Sequence, residues 1–381
     1  MARKVYGELQ PPQRLLLGAG PSNVDPRVLK ALTSPIVEHL DPYFMKVMDD
    51  TVELLRYTFK TKNHLTLPIS GTGSAGMESA ICNLVEKGDD VVMCINGFFG
   101  GRMREMVERC GGNPVTVEAD WGRTIRKEDV EKALSGSNAK VVAIVHAETS
   151  TGILQPLKDI AKLAHKHDAL LIVDAVTSLG GCELDVDGYG IDLCYSASQK
   201  CLSCPPGLAP ITANEKAMEQ VRNRKTKVQS WYLDLSTIEE YWVENNRIYH
   251  HTAPIILVYA LRESLRLIHD EGLEDRWRRH QKNSQALISG LETLGLKMHA
   301  EEGHRCPSLT AVKVPEGVED QNVRGALREE FNITVSGGLG ELKGRIWRIG
   351  LMGANSNRGI VTRLLRALEH ALKKEGYPSE G

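Results

Sequence analysis

Hydrophobic residues along the chain fall into short continuous runs that alternate with stretches of 3.6-residue periodicity. The runs at 90–95, 141–146 and 170–173 predict strands buried on both faces, and those at 64–69, 114–118, 192–196 and 207–212 predict shorter ones. Between them, apolar residues spaced three and four apart predict helices over 77–84, 102–109, 130–134 and 160–167, preceded by helices over 28–32 and 44–59. Uninterrupted Val, Ile and Leu runs alternating with amphipathic helices imply an α/β fold with a mostly parallel sheet covered on both faces.

The pattern changes towards the C-terminus. Residues 255–294 read as mostly helical and rich in Arg, Glu and His. Strands at 308–314 and 346–351 then flank a helix over 321–331, and a helix over 361–374 closes the chain. This predicts a second, smaller α+β domain. The expected division is an N-terminal arm at 1–21, with Pro11-Pro12 inside it, a large domain at 22–270 and a small domain at 271–381. A length of 381 residues fits about two domains. No internal repeat or low-complexity tract interrupts the pattern.

Composition narrows the function classes. A net charge of −2, with 41% hydrophobic and 25% charged residues, offers no strong field to hold nucleic acid or an anionic membrane. An anionic ligand needs a local site. No apolar run approaches the ~18 residues of a membrane span. The first residues show no secretory pattern, the last show no peroxisomal tripeptide, and the eight cysteines are few for this length. The expectation is free thiols and a cytosolic protein.

Three features carry chemistry. Gly71-Thr72-Gly73-Ser74-Ala75-Gly76 matches G-x-G-x-x-G. A dinucleotide site would need an acidic residue at the end of the next strand, but Asp89 and Asp90 stand at its beginning and its end meets Asn96. The loop reads equally as a phosphate cradle at a helix N-terminus or as a plain turn with a helix cap. Asp174 ends an apolar strand, where open α/β sheets bind ligands, or else it caps a helix or pairs with a buried cation. Lys200 follows a short apolar strand and precedes Pro205-Pro206-Gly207, a setting too apolar for a casual surface charge. Desolvation lowers a lysine's pKa and favours Schiff-base chemistry. Together, Asp174 and Lys200 suit pyridoxal 5′-phosphate: the carboxylate keeps a pyridine nitrogen protonated, and the amine binds the aldehyde and shuttles a proton.

The segments 15–23, 69–78, 146–156, 171–181, 195–207, 224–235, 249–254 and 347–353 resemble, in order, those of class V aminotransferases. The alanine–glyoxylate/serine–pyruvate group is the nearest. Ser198-Gln199-Lys200 and Tyr249-His250-His251-Thr252 are the specific signals. The resemblance implies fold type I of the pyridoxal-phosphate transferases, with a seven-stranded sheet, and a ping-pong transamination from a small L-amino acid to glyoxylate. Lys200 would carry the cofactor as a Schiff base, and Asp174 would face its pyridine nitrogen. Thr72, Gly73, Ser74 and Gln199 would hold the phosphate, joined by Tyr249 and Thr252 from the partner of an obligatory homodimer. Thr149 would meet the ring hydroxyl, and Val176 and Phe99 would cover the ring faces; the family's best-known members carry Trp where this chain has Phe99. Arg348 would clamp the substrate carboxylate, helped by Gly20, Ser22, Asn23 and Thr149. No metal is expected. The alternatives are another donor (3-hydroxykynurenine, or serine with pyruvate or glyoxylate) or a cysteine desulfurase-like lyase using Cys201 or Cys204.

Overall fold

The computed structural model describes residues 3, 6–244 and 247–378. The residues at the two chain ends on which the targeting expectations rest lie largely outside them. The central sheet has seven strands: β1 (Leu65–Ser70), β2 (Asp90–Ile95), β3 (Asn113–Glu118), β4 (Val141–Val145), β5 (Leu170–Asp174), β6 (Leu193–Tyr195) and β7 (Leu208–Ala213). Their order across the sheet is β1-β7-β6-β5-β4-β2-β3. All neighbours are parallel except at β7, which runs antiparallel to both β1 and β6. β4 and β5 are buried along their whole length, as their unbroken Val, Ile and Leu require in the middle of a two-faced sheet.

The helices between these strands begin earlier than the apolar periodicity suggests. The helix expected from residue 77 spans Gly73–Leu84, and the one expected from 102 spans Phe98–Arg109. In both, the first turn is made of small or adjacent aromatic residues, Gly-Ser-Ala-Gly and Phe-Phe-Gly-Gly, that carry no amphipathic signal. The long helical stretch after 254 is two helices, Ile255–Glu271 and Leu273–Thr293, broken at Gly272, whose φ of 81° a residue with a side chain rarely adopts. Two helices, Glu215–Arg222 and Leu235–Trp242, have no counterpart in the sequence reading.

A second sheet follows, of β8 (Leu309–Lys313), β9 (Ser336–Gly337) and β10 (Ile346–Gly350), in the order β8-β10-β9. It packs with Leu273–Thr293 and the closing helix Arg358–Lys374 around its own apolar core, which includes Leu287, Val312, Trp347 and Leu368. Leu17 belongs to this second core, and the short strand Leu15–Leu16 pairs with Ile333–Thr334. The end of the N-terminal arm is thereby tied to the C-terminal part of the chain, and Gly20 and Ser22 lie against the turn of Gln199 and Lys200. No helix among the described residues is long and apolar enough to cross a membrane.

Candidate active site

Twelve residues from five stretches of the large sheet's C-terminal side line one cavity of about 220 Å³. Asp174 enters it from the end of β5 and Lys200 from the turn after β6. Thr72, Gly73 and Ser74 come from the start of a helix, and Phe99, Thr149, Val176 and Gln199, also expected there, line it too. Met77, Arg102 and Val145 also line the cavity and were not singled out in the sequence.

Asp174 is held rigidly. Val176 N–H donates to its Oδ1 at 2.8 Å and the Tyr195 hydroxyl donates to its Oδ2 at 2.8 Å. Each oxygen keeps a further lone pair for a cation in the cavity. Burial pushes the Asp174 carboxyl up to about 6, against the pull of these two donors. A cationic partner would favour its ionised form.

Lys200 is desolvated, which brings its ammonium down to about 8, and the Arg348 guanidinium adds to the shift. Its Nζ donates to the Ala19 carbonyl. Gly20 lies directly against the lysine: a Cβ there would sit 2.5 Å from both Lys200 Cδ and Nζ, and its φ of 98° suits glycine alone. The turn carrying Lys200 is anchored from behind by Arg276, which donates to Cys201 O at 2.7 Å and to Gly180 O at 2.8 Å and pairs with Glu271.

The glycine loop has the form of an anion site. Thr72 occupies the N-cap of Gly73–Leu84, yet its side chain makes no capping bond. The first-turn N–H groups of a helix lack intrahelical acceptors. Gly73 is needed for close packing: a Cβ there would lie 2.9 Å from Ala197 Cβ and 3.2 Å from Val176 Cγ2. The Oε1 of Gln199 is buried with no partner among the described residues, so the amide is free to turn and offer its N–H₂ to an anionic group. An uncapped helix start, an orphaned amide, a desolvated amine and a buried carboxylate around one cavity fit pyridoxal 5′-phosphate.

Arg348 is placed differently. It lies on β10, is buried, and does not line the cavity; its Nε donates to Gly337 O at 2.8 Å and its Nη1 approaches Thr149 O at 3.4 Å. Burial lowers its guanidinium to about 10. It thus stands behind the Thr149 rim. Thr149 itself shares a hydrogen bond of 2.6 Å with Thr177.

Four expected residues are engaged elsewhere. The Ser22 hydroxyl donates to Lys200 O at 2.8 Å. The Asn23 side chain accepts from Leu16 N–H and donates to Arg14 O. Both therefore bind the arm to the protein and do not face the cavity. Tyr249 and Thr252 are exposed, Tyr249 to 50%, and hydrogen-bond to each other at 3.2 Å outside the cavity.

Two residues that the sequence reading missed are central. Tyr195 holds Asp174, and Glu148, fully buried beside Thr149, holds the helix of Phe99. A tyrosine inside an apolar strand must find a partner for its hydroxyl, and a carboxylate just after β4 must find donors. Those were the available signals.

The chain belongs to the class V aminotransferases: the family described as Aminotransferase class-V matches residues 14–345. Members of that class depend on pyridoxal phosphate, and the protein is an aminotransferase of fold type I. It is 40% identical to the (S)-ureidoglycine–glyoxylate transaminase of Bacillus subtilis, over 96% of this chain and 92% of that one. It is also 40% identical to the alanine–glyoxylate aminotransferase of Rattus norvegicus, over 95% and 88% of the two chains. The crystal structure of an alanine–glyoxylate aminotransferase from Nostoc sp. superimposes with a TM-score of 0.95 at 48% identity, covering 97% of this chain and 98% of that one.

Proposed function

We propose that the protein transfers the amino group of a small L-amino acid, alanine or serine, to glyoxylate. The observation that carries this reading is the shared cavity of Lys200 and Asp174 with Arg348 behind its rim, in a chain whose relatives are named for glyoxylate. Pyridoxal phosphate supplies an aldehyde for covalent capture of amines and a conjugated ring that accepts the electron pair left at a substrate's α-carbon.

The chain's own residues supply the rest. Lys200 Nζ holds the cofactor between turnovers, then takes the α-proton of the amino acid and returns it on the path to the 2-oxo acid. Asp174, fixed by Tyr195 and Val176 N–H, stabilises positive charge at the ring nitrogen. Thr72, Gly73, Ser74 and Gln199 bind the phosphate. Phe99 and Val176 exclude water from the ring, and Thr149 positions its hydroxyl. Arg348 grips the substrate carboxylate, for which a planar, always charged guanidinium is suited.

Tyr249 and Thr252 are proposed to reach the phosphate of a second subunit, so the homodimer shares its sites. The division into an arm, 1–21, a large domain, 22–270, and a small one, 271–381, accompanies this reading, as does a cytosolic location, with all eight cysteines free. The desulfurase-like alternative needs an accessible thiolate. Cys201 and Cys204 are buried, which raises both thiols, Cys201 to about 12.

The test is a donor panel assayed for 2-oxo acid release with glyoxylate or pyruvate as acceptor. Alanine or serine with glyoxylate should give the highest kcat/KM. Faster turnover of (S)-ureidoglycine or 3-hydroxykynurenine would overturn the donor assignment, and inert glyoxylate would overturn the acceptor.

A further inference from the structure

We propose that Glu148 is a positioning residue for the cofactor: it sets the cavity wall by holding the first turn of the helix that carries Phe99. The proposal rests on the reading that Phe99 lies against the cofactor ring.

Glu148 follows β4, in the short strand Ala147–Glu148, immediately before Thr149. Its side chain is fully buried, and no Lys or Arg forms an ion pair with it among the described residues. What stabilises it is a set of donors. Phe99 N–H and Gly100 N–H donate to Oε2 at 3.1 and 3.3 Å. Ser150 N–H and the Ser150 hydroxyl donate to Oε1 at 3.0 and 2.7 Å. The same hydroxyl accepts from Phe98 N–H at 2.9 Å. Glu148 and Ser150 therefore take the first three N–H groups of Phe98–Arg109, where a negative charge is favoured by the helix dipole.

The fit demands a glycine next door. Gly97 is the N-cap, and its φ of 173° is open to any residue, but a Cβ there would lie 2.3 Å from Glu148 Cγ and 2.6 Å from Ser150 Oγ. The chain thus gives up a local N-cap side chain to admit a carboxylate from a distant segment. That segment also supplies Thr149. One buried group thereby fixes the distance between two walls of the cavity, Phe99 and Thr149, and a local cap could not.

The test is a double-mutant cycle on the cofactor-free protein, reading the Kd for pyridoxal phosphate by quenching of tryptophan fluorescence. Glu148→Gln keeps the volume but places an amide N–H₂ among donors. It should weaken binding roughly tenfold, as should Phe99→Ala. The double variant should then be no more than about twofold weaker than Phe99→Ala alone, because Glu148 acts through that ring. Visible circular dichroism of the bound cofactor should shift in Glu148→Gln. Losses that multiply in the double variant, or an unaltered Kd for Glu148→Gln, would overturn the proposal. An unaltered Kd for Phe99→Ala alone would instead overturn the reading of Phe99 as the ring wall, and the proposal with it. Should Glu148→Gln fail to fold, Ser150→Ala replaces it in the cycle, with an expected loss of roughly threefold and the same non-additivity.

Discussion

Capturing an aldehyde and removing an α-proton both require the neutral form of the Lys200 amine. Burial and the nearby Arg348 bring that amine down to about 8, so its neutral fraction becomes large within ordinary pH. The neutral form dominates above the pKa, so the rate at which cofactor-free protein captures pyridoxal phosphate should climb with pH and level off through a midpoint near about 8. Stopped-flow absorbance checks this. A rate still climbing above pH 10, as for a solvated lysine, would contradict the desolvated amine. That Lys200 and Asp174 line one cavity was legible because Asp174 ends an apolar run and Lys200 follows one in an apolar neighbourhood, where a charge is costly unless used or paired. Tyr195 and Glu148 were not. Their roles come from hydrogen bonds to residues 21 and 49 positions away, and periodicity carries no trace of such pairings. Ser22 and Asn23 are placed otherwise than expected. Hydroxyl and amide side chains beside a glycine turn suggest ligand binding, but here the arm itself needs those bonds to stay in place.

Among the elements, the strands were the clearest reading. β2, β4 and β5 are continuous apolar runs, and only a doubly covered sheet can bury them. The reversal at β7 was hidden, because an isolated run such as Leu208–Ala213 has the same composition in either direction. Helix starts were misread by about four residues at the two places that matter most, Gly73 and Phe98. The physical reason is shared. Neither start carries a side-chain capping bond: Thr72 makes none and Gly97 has no side chain, so the first N–H groups are left free or go to a distant partner. The break at Gly272 separates the helix that packs on Pro42–Phe59 from the one that enters the second core, and a lone glycine within a long helical pattern was its only sign.

At the scale of the molecule, Tyr249 and Thr252 are the residues that a single chain does not explain. They carry a specific family signal, yet they stand exposed and away from the cavity. Exposed Trp231, Tyr232 and Ile248 lie in the same part of the chain. In the proposed dimer they complete the partner's phosphate site. Mixing Lys200→Ala subunits with subunits carrying both Tyr249→Ala and Thr252→Ala tests this. Each hybrid dimer would hold one fully native site, so two nearly inactive preparations should together regain about a quarter of wild-type activity after subunit exchange. Activity no greater than the sum of the two parents would place both residues outside the partner's site.

One amine, that of Lys200, holds the cofactor in the proposed enzyme. Borohydride reduction of the purified holoenzyme, followed by proteolysis and mass spectrometry, locates the bond between cofactor and protein directly. A single pyridoxyl-phosphate adduct is expected, on the peptide containing Lys200, with its fragments placing the added mass on that side chain. An adduct on any other lysine, or an enzyme active with the cofactor that yields none, would contradict it.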